Sequence, residues 1–278
     1  MGMELTPLAE RVGNYGAMQQ WARMSAMIDF FERGDLAELE HFALADLAFC
    51  RSVGVGLRDH SLGWAGMAKF LAGDWDEAET YLEAAHSAEP DSAMVGWAWA
   101  SLYEFHAYAG HTALADDLLR RYEHNLPRPD GANTCGSWTM ALAAAEGLAV
   151  LGDFKRSAAL LPVIEACIER TGVICIEYRG GRLLARAAGI AAAAGGDWER
   201  AEHHFENARK QAEALPHIVE LAHTLRLHGA MLHETAQHQE KRANTLLKQA
   251  RDIYQRLSMP RHEALCTDRL DVGQRGHA

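Results

Sequence analysis

Seven of the fifteen histidines fall between residues 203 and 238: His203, His204, His217, His223, His228, His233 and His238. Imidazole is a common metal ligand and titrates close to neutral pH, so this concentration raises metal binding and acid–base chemistry first. Zinc proteases carry two His four residues apart on one helical face, with Glu as the base. Here His233 and His238 are five apart, which turns them roughly 140° from each other on a 3.6-residue helix, and the motif fails. Glu234 and His238 are four apart, but they would need a ligand from a neighbouring helix to hold a metal. Ordinary surface or half-buried histidines are the expected reading, with no metal and no cofactor.

A second group is the row Arg179, Arg182 and Arg186, spaced i, i+3 and i+7 and so expected on one helix face. Three guanidinium groups on one face repel unless carboxylates or an anion neutralise them. Glu146 and Glu177 are the candidate partners, and an internal salt-bridge network is favoured over a phosphate or carboxylate site. The five cysteines (Cys50, Cys135, Cys167, Cys175, Cys266) form no CxxC pair, and their odd number argues against a disulfide framework. Cys167 and Cys175 read as buried thiols, and a reducing cytoplasm is the expected location. The sequence has no GxxxxGK[ST] phosphate loop, no GxSxG elbow and no GxGxxG turn after a strand.

The elements that must position these residues are announced by turns. Five times a Gly closes one apolar helical stretch and opens the next: Gly34-Asp35, Gly73-Asp74, Gly110-His111, Gly152-Asp153 and Gly196-Asp197. Gly supplies the positive φ that ends the first helix, and the following Asp is suited to cap the second. Intervals of 39, 37, 42 and 44 residues mark helical hairpins that bury their apolar faces by stacking on their neighbours. With 49% apolar residues the chain has material for a large interior, expected to run serially along the array. No stretch of about 18 uncharged apolar residues occurs, and nothing at the N-terminus marks export. No membrane contact is expected.

Charge is uneven. Of the formal −11, residues 1–130 contribute 21 acidic and 9 basic groups, whereas 131–278 hold 17 and 18. The acidic half would repel phosphate backbones, which argues against general nucleic-acid binding. A basic strip (Lys241, Arg242, Lys248, Arg251, Arg256, Arg261) reads as a solvated helix face.

The segment Gly66–Pro90 resembles a tetratricopeptide repeat (TPR), with Gly66 as the small residue of the first helix, the turn Gly73-Asp74-Trp75, then Ala78, Leu82, Ala85 and Pro90. Residues Gly189, Gly196-Asp197-Trp198, Ala201, Phe205 and Ala208 repeat the scheme, with Glu213 in place of the Pro. Looser matches include Trp99, Ala115 and Leu119, then Ser157 and Leu161, then Gly229, Ala243, Leu247 and Ala250. The units exceed the usual ~34 residues and look like the long-repeat variety at the C-terminus of LuxR-type and maltose-regulator-type ATPases and of cyclase-linked regulators. The resemblance implies an all-α, right-handed solenoid of about six hairpins with no sheet. It would form a single domain over 1–278, the first hairpin at about 19–53 and the last at about 223–257. The tail 262–278 is expected to be disordered.

It also implies a concave groove lined by the first helices. The family's groove positions fall on Trp21, Met24 and Ile28, then His60 and Met67, Trp97 and Glu104, Thr139 and Glu146, Arg186, and finally His223, Arg226 and His233. Such a surface is apolar at one end, acidic in the middle and basic at the other. It suits a peptide, a protein or a small effector with an apolar body and an anionic end, with Arg186 and Arg226 meeting the anion and Trp97 the apolar part. The implied function is a non-catalytic scaffold or sensor, part of a bacterial transcriptional regulator, with homo-oligomerisation open. The alternative is an enzyme using a cavity in the array, with Glu104, Glu146 and the histidines as acid–base groups.

Overall fold

The computed structural model describes residues 11, 17–54, 58–89, 95–128, 133–177, 180–235 and 239–275. Helix dominates them. Helices α1 (Ala17–Arg33) and α2 (Leu36–Val53) meet at Gly34-Asp35, and α3 (Arg58–Ala72) and α4 (Trp75–Ala88) at Gly73-Asp74. Helices α5 (Trp97–Tyr108) and α6 (Thr112–Tyr122) meet at Gly110-His111. Helix α7 (Cys135–Val150) is followed by α8 (Phe154–Ala159) and α9 (Leu161–Thr171), and α10 (Leu184–Ala194) by α11 (Trp198–Ala214). Helices α12 (Ile218–Thr235), α13 (Glu240–Arg256) and α14 (Pro260–Arg275) complete the chain. Pro162, which has no backbone N–H and favours a helix start, sits where α8 gives way to α9.

The turn glycines have φ between +73° and +88°. Capping by the next residue is less uniform than the sequence suggests. Asp153 and Asp197 accept from the backbone N–H groups of Arg156 and Arg200. Asp35 and Asp74 instead accept from the side chains of Arg33 and Lys69. The small-residue positions do what close packing requires. A Cβ on Gly66 would lie 2.7 Å from Leu82 Cδ2, and one on Gly189 would lie 2.9 Å from Phe205 Cδ1.

Three expectations are corrected. First, a two-stranded antiparallel sheet is present, β1 (Ile174–Glu177) pairing with β2 (Gly180–Leu183), Ile174 opposite Leu183. The run Ile174-Cys175-Ile176 favours extended backbone, and a Cβ at Gly181 would meet Ile174 Cδ1 at 2.1 Å. Second, the arginine row does not lie on one helix: Arg182 is on β2 and Arg186 on α10. Arg179, Glu177's side chain, Pro90 and His238 lie outside the described residues. Third, residues 262–275 are not a disordered tail but belong to α14, which buries His262, Cys266 and Leu270.

The core is also not serial. Helix α3 touches α5, α5 touches α7, α7 touches α10, α10 touches α12, and α12 returns to α1. Phe31 of α1 packs edge-on against His217 at the start of α12, with ring centroids 6.0 Å apart. Phe70 of α3 meets His262 of α14 at 5.4 Å. The largest apolar cluster therefore joins the two ends of the chain, Met24 to Phe105 and Ile190 to Leu270, and three smaller clusters fill the helices between. No described helix is long and apolar enough to cross a membrane.

Closure separates turns of identical sequence. Gly73 and Gly196 both need positive φ, but a Cβ on Gly73 would lie 2.9 Å from Pro260 Cγ, whereas one on Gly196 meets nothing within 4 Å. Gly196→Val is expected to cost about 1–2 kcal/mol from backbone strain alone. Gly73→Val should cost more, because α14 must also shift. Urea unfolding of both variants checks the order; equal losses would remove α14 from the account.

Candidate functional site: a charged centre beneath an apolar cleft

Helix α12 returns to α1, and polar side chains of α5, α7, β2, α10 and α12 meet between the helices. Arg182 donates to Glu104 at 2.6 Å and to Glu146 at 3.0 Å. Arg186 donates to Glu146 at 2.5 Å and grips both oxygens of Glu220 at 2.8 and 2.9 Å. Glu220 also accepts from the backbone N–H of Leu183 at 3.1 Å, which fixes the end of β2. All five side chains are at most 1% exposed. Charges in such a medium persist only when paired and hydrogen-bonded, and this network supplies both.

A third cation borders the network on different terms. Arg226 of α12 donates to the Tyr108 hydroxyl at 2.5 Å and to Tyr254 at 3.4 Å, while its nearest carboxylate, Glu146, stands 3.9 Å away. Tyr108 in turn donates to Glu146 at 2.7 Å. Burial above all pushes the Tyr108 phenol above the ordinary tyrosine range, so it remains a donor. The close partners of Arg226 are thus neutral phenols, unlike those of Arg182 and Arg186.

The expected groove positions converge but do not line an open groove. Met24, Met67 and Trp97 are core residues, and Ile28 packs half-buried against them. His60 lies 3.6 Å from Asp59 and stacks on Trp97 at 5.4 Å; burial holds its pKa below the usual value. Thr139 turns back to the Gly136 carbonyl at 2.7 Å. His223 meets the Tyr254 hydroxyl at 2.8 Å, and His233 meets Asn244 at 2.9 Å. Glu104, Glu146, Arg186 and Arg226 are the predicted residues brought together at the centre. Trp21's side chain lies outside the described set. The histidine-rich stretch is dispersed: His228 faces Glu202 at 3.0 Å, His204 faces Glu165 at 3.0 Å, and His203 faces Asn207 at 2.9 Å.

The centre opens at one end, through a cleft of about 610 Å³. Glu146, Tyr108 and Arg226 form its polar floor, and Ile190, Ala193, Phe205, Leu227, Ala230 and Met231 its walls. Its rim holds Val150, Phe154, Trp198 and Leu265, which are four of the seven exposed large apolar side chains among the described residues. The two Gly-Asp-Trp turns differ here. Trp75 donates its indole N–H to the Phe70 carbonyl at 3.1 Å and lies under the Arg261 guanidinium at 4.8 Å. Trp198, at the same place in its unit, is 42% exposed. Helix α14 covers the first and leaves the second to the cleft.

A comparison with protein-family models gives no match, and a comparison with curated proteins gives none. Tyr108, Glu220 and Tyr254 have no sequence signal of their own, since each is one polar or aromatic residue in an amphipathic helix. Trp198 is legible in the turn motif, but its exposure is not.

The helix that carries Glu104 and Tyr108 is held at its start by Glu89, whose Oε1 accepts from the backbone N–H groups of Gly96 and Ala98 at 3.1 and 2.9 Å. Burial, opposed by these bonds, raises the Glu89 pKa to about 7. A carboxyl raised in the folded state keeps a proton that the unfolded chain releases, so stability falls as pH climbs from about 4.5 to 7. Glu89→Gln is expected to flatten that slope and to raise stability at pH 8 by about 1–3 kcal/mol. Urea midpoints at pH 5 and 8 decide it; an unchanged slope would assign the pH dependence to other groups.

Proposed function

We propose that the protein is a non-catalytic scaffold or sensor, a right-handed solenoid of about six TPR-like hairpins drawn into a ring. Its ligand is a small effector, or the end of a peptide, with an apolar body and an anionic group. The observation that carries this reading is the coincidence of exposed apolar side chains at the cleft rim with a cation, Arg226, whose close partners are phenols. Apolar patches of this kind on a protein surface mark binding sites, and about 610 Å³ falls in the range of ligand pockets. Role assignments shift from the groove expectation: Arg226 meets the anion, Arg186 is saturated by Glu146 and Glu220, and Phe205 and Met231 replace Trp97 as the apolar wall. A sensor module of a larger regulator fits this reading.

The test uses Trp198 fluorescence with a series of linear carboxylates from hexanoate to dodecanoate, beside the matching alkylammonium ions. Carboxylates are expected to bind more tightly with chain length. Arg226→Met should weaken them by roughly 1–3 kcal/mol while sparing the alcohols of equal length. Equal binding of carboxylates and ammonium ions, or none of either, would reject the site.

A further inference from the structure

Four of the five turns place Asp after Gly, and one places His: Gly110-His111. That histidine stands beside a second, His106, the third-last residue of α5, and both face one carboxylate of the preceding hairpin, Glu79 of α4. The two Nδ1 atoms are 3.2 Å apart. Glu79 Oε1 is 3.7 Å from His106 Nδ1 and 3.5 Å from His111 Nδ1.

We propose that Glu79, His106 and His111 form a binding site for a divalent transition metal of the zinc class, separate from the cleft. The point equidistant from three atoms at these separations lies about 2.0 Å from each, which is the bond length of zinc to imidazole nitrogen and carboxylate oxygen. Two histidines and one carboxylate leave one position for water. Access is available, because His106 is buried while the side chains of His111 and Glu79 are 41% and 33% exposed. Without an ion, one Nδ1 must carry a proton to bond the other. With an ion, both rings present Nδ1 lone pairs and keep their protons on Nε2.

The contrast with the other His–carboxylate trio supports the assignment. Glu202, Glu206 and His228 also bring three ligand atoms together, but Arg242 already occupies both carboxylates, at 2.6 and 2.7 Å. Among the described residues no Lys or Arg pairs with Glu79. A bound ion would tie α4, the end of α5 and the turn into α6 together, joining two hairpins at the one of the five turns that has His in place of Asp.

The experiment uses the full, untagged chain stripped with chelator and then titrated with Zn²⁺ against a chromophoric competitor, with Co²⁺ absorption as a second readout. One ion per chain is expected, with d–d bands of a tetrahedral nitrogen–oxygen site. His111→Asn, which puts a residue suited to the N-cap at that turn, and Glu79→Gln, on a partly exposed face, should each weaken binding by about 10-fold to 100-fold. Glu202→Gln should leave it unchanged. No stoichiometric uptake by the folded wild type, retention of full affinity in both site variants, or loss confined to Glu202→Gln would each overturn the site.

Discussion

Glu146→Ala is expected to lower the unfolding free energy by about 3–5 kcal/mol, the range for removing one partner of a buried ion pair. The carboxylate accepts from Arg182, Arg186 and Tyr108, so its loss strips both buried guanidinium groups of a counter-charge at once. Arg186→Met should cost a comparable amount, because Glu220 then loses its bidentate donor. The double variant Glu146→Leu with Arg186→Met should be less damaged than the sum of the two, since no member of that pair is left charged and alone. Urea unfolding followed by far-ultraviolet circular dichroism measures all of these. A Glu146→Ala protein with a wild-type midpoint would mean that the centre is wet and the network unimportant to stability.

Phe31→Ala should cost about 3–5 kcal/mol and should be felt at the other end of the chain. Phe31 is fully buried, 6.0 Å from Trp64 and 6.0 Å from His217 by ring centroids. In an open array a defect in the first hairpin loosens only its neighbour. In a ring it also exposes the start of α12. Hydrogen exchange should therefore show protection lost over residues 218–226 as well as in α3. Loss confined to α1–α3 would contradict closure.

Both predictions depend on contacts that the repeat pattern does not encode. The Gly turn placed the first hairpin, at about 19–53, within two residues of α1–α2, and apolar periodicity placed the last, at about 223–257, within five of α12–α13, because positive φ and apolar periodicity are local requirements. Gly66, Leu82, Gly189 and Phe205 were legible as small and bulky positions of the motif, and the structure sets each Gly against its bulky partner, which lets two helices approach. The β1–β2 hairpin was not legible, since a four-residue apolar run followed by Arg at i, i+3 and i+7 reads equally well as helix.

The site divides along the same line. The sequence by itself determined that the chain is helical and where Gly turns join its helices, and the resemblance to TPR repeats marked Glu104, Glu146, Arg186 and Arg226 as groove positions. Helices and turns follow from apolar periodicity and from the positive φ that Gly allows, which are local quantities. Only the tertiary structure decided that the inward faces meet. Once α12 returns to α1 and α14 covers α3, the same charged residues that would line a groove must neutralise one another. The outlet shifts to the one Gly-Asp-Trp turn that no helix covers. Three ligand atoms from α4, α5 and the turn into α6 likewise come within 4 Å through packing alone. Spacing along the chain could not have shown this, because Glu79 and His106 are 27 residues apart in sequence and meet only where two hairpins stack.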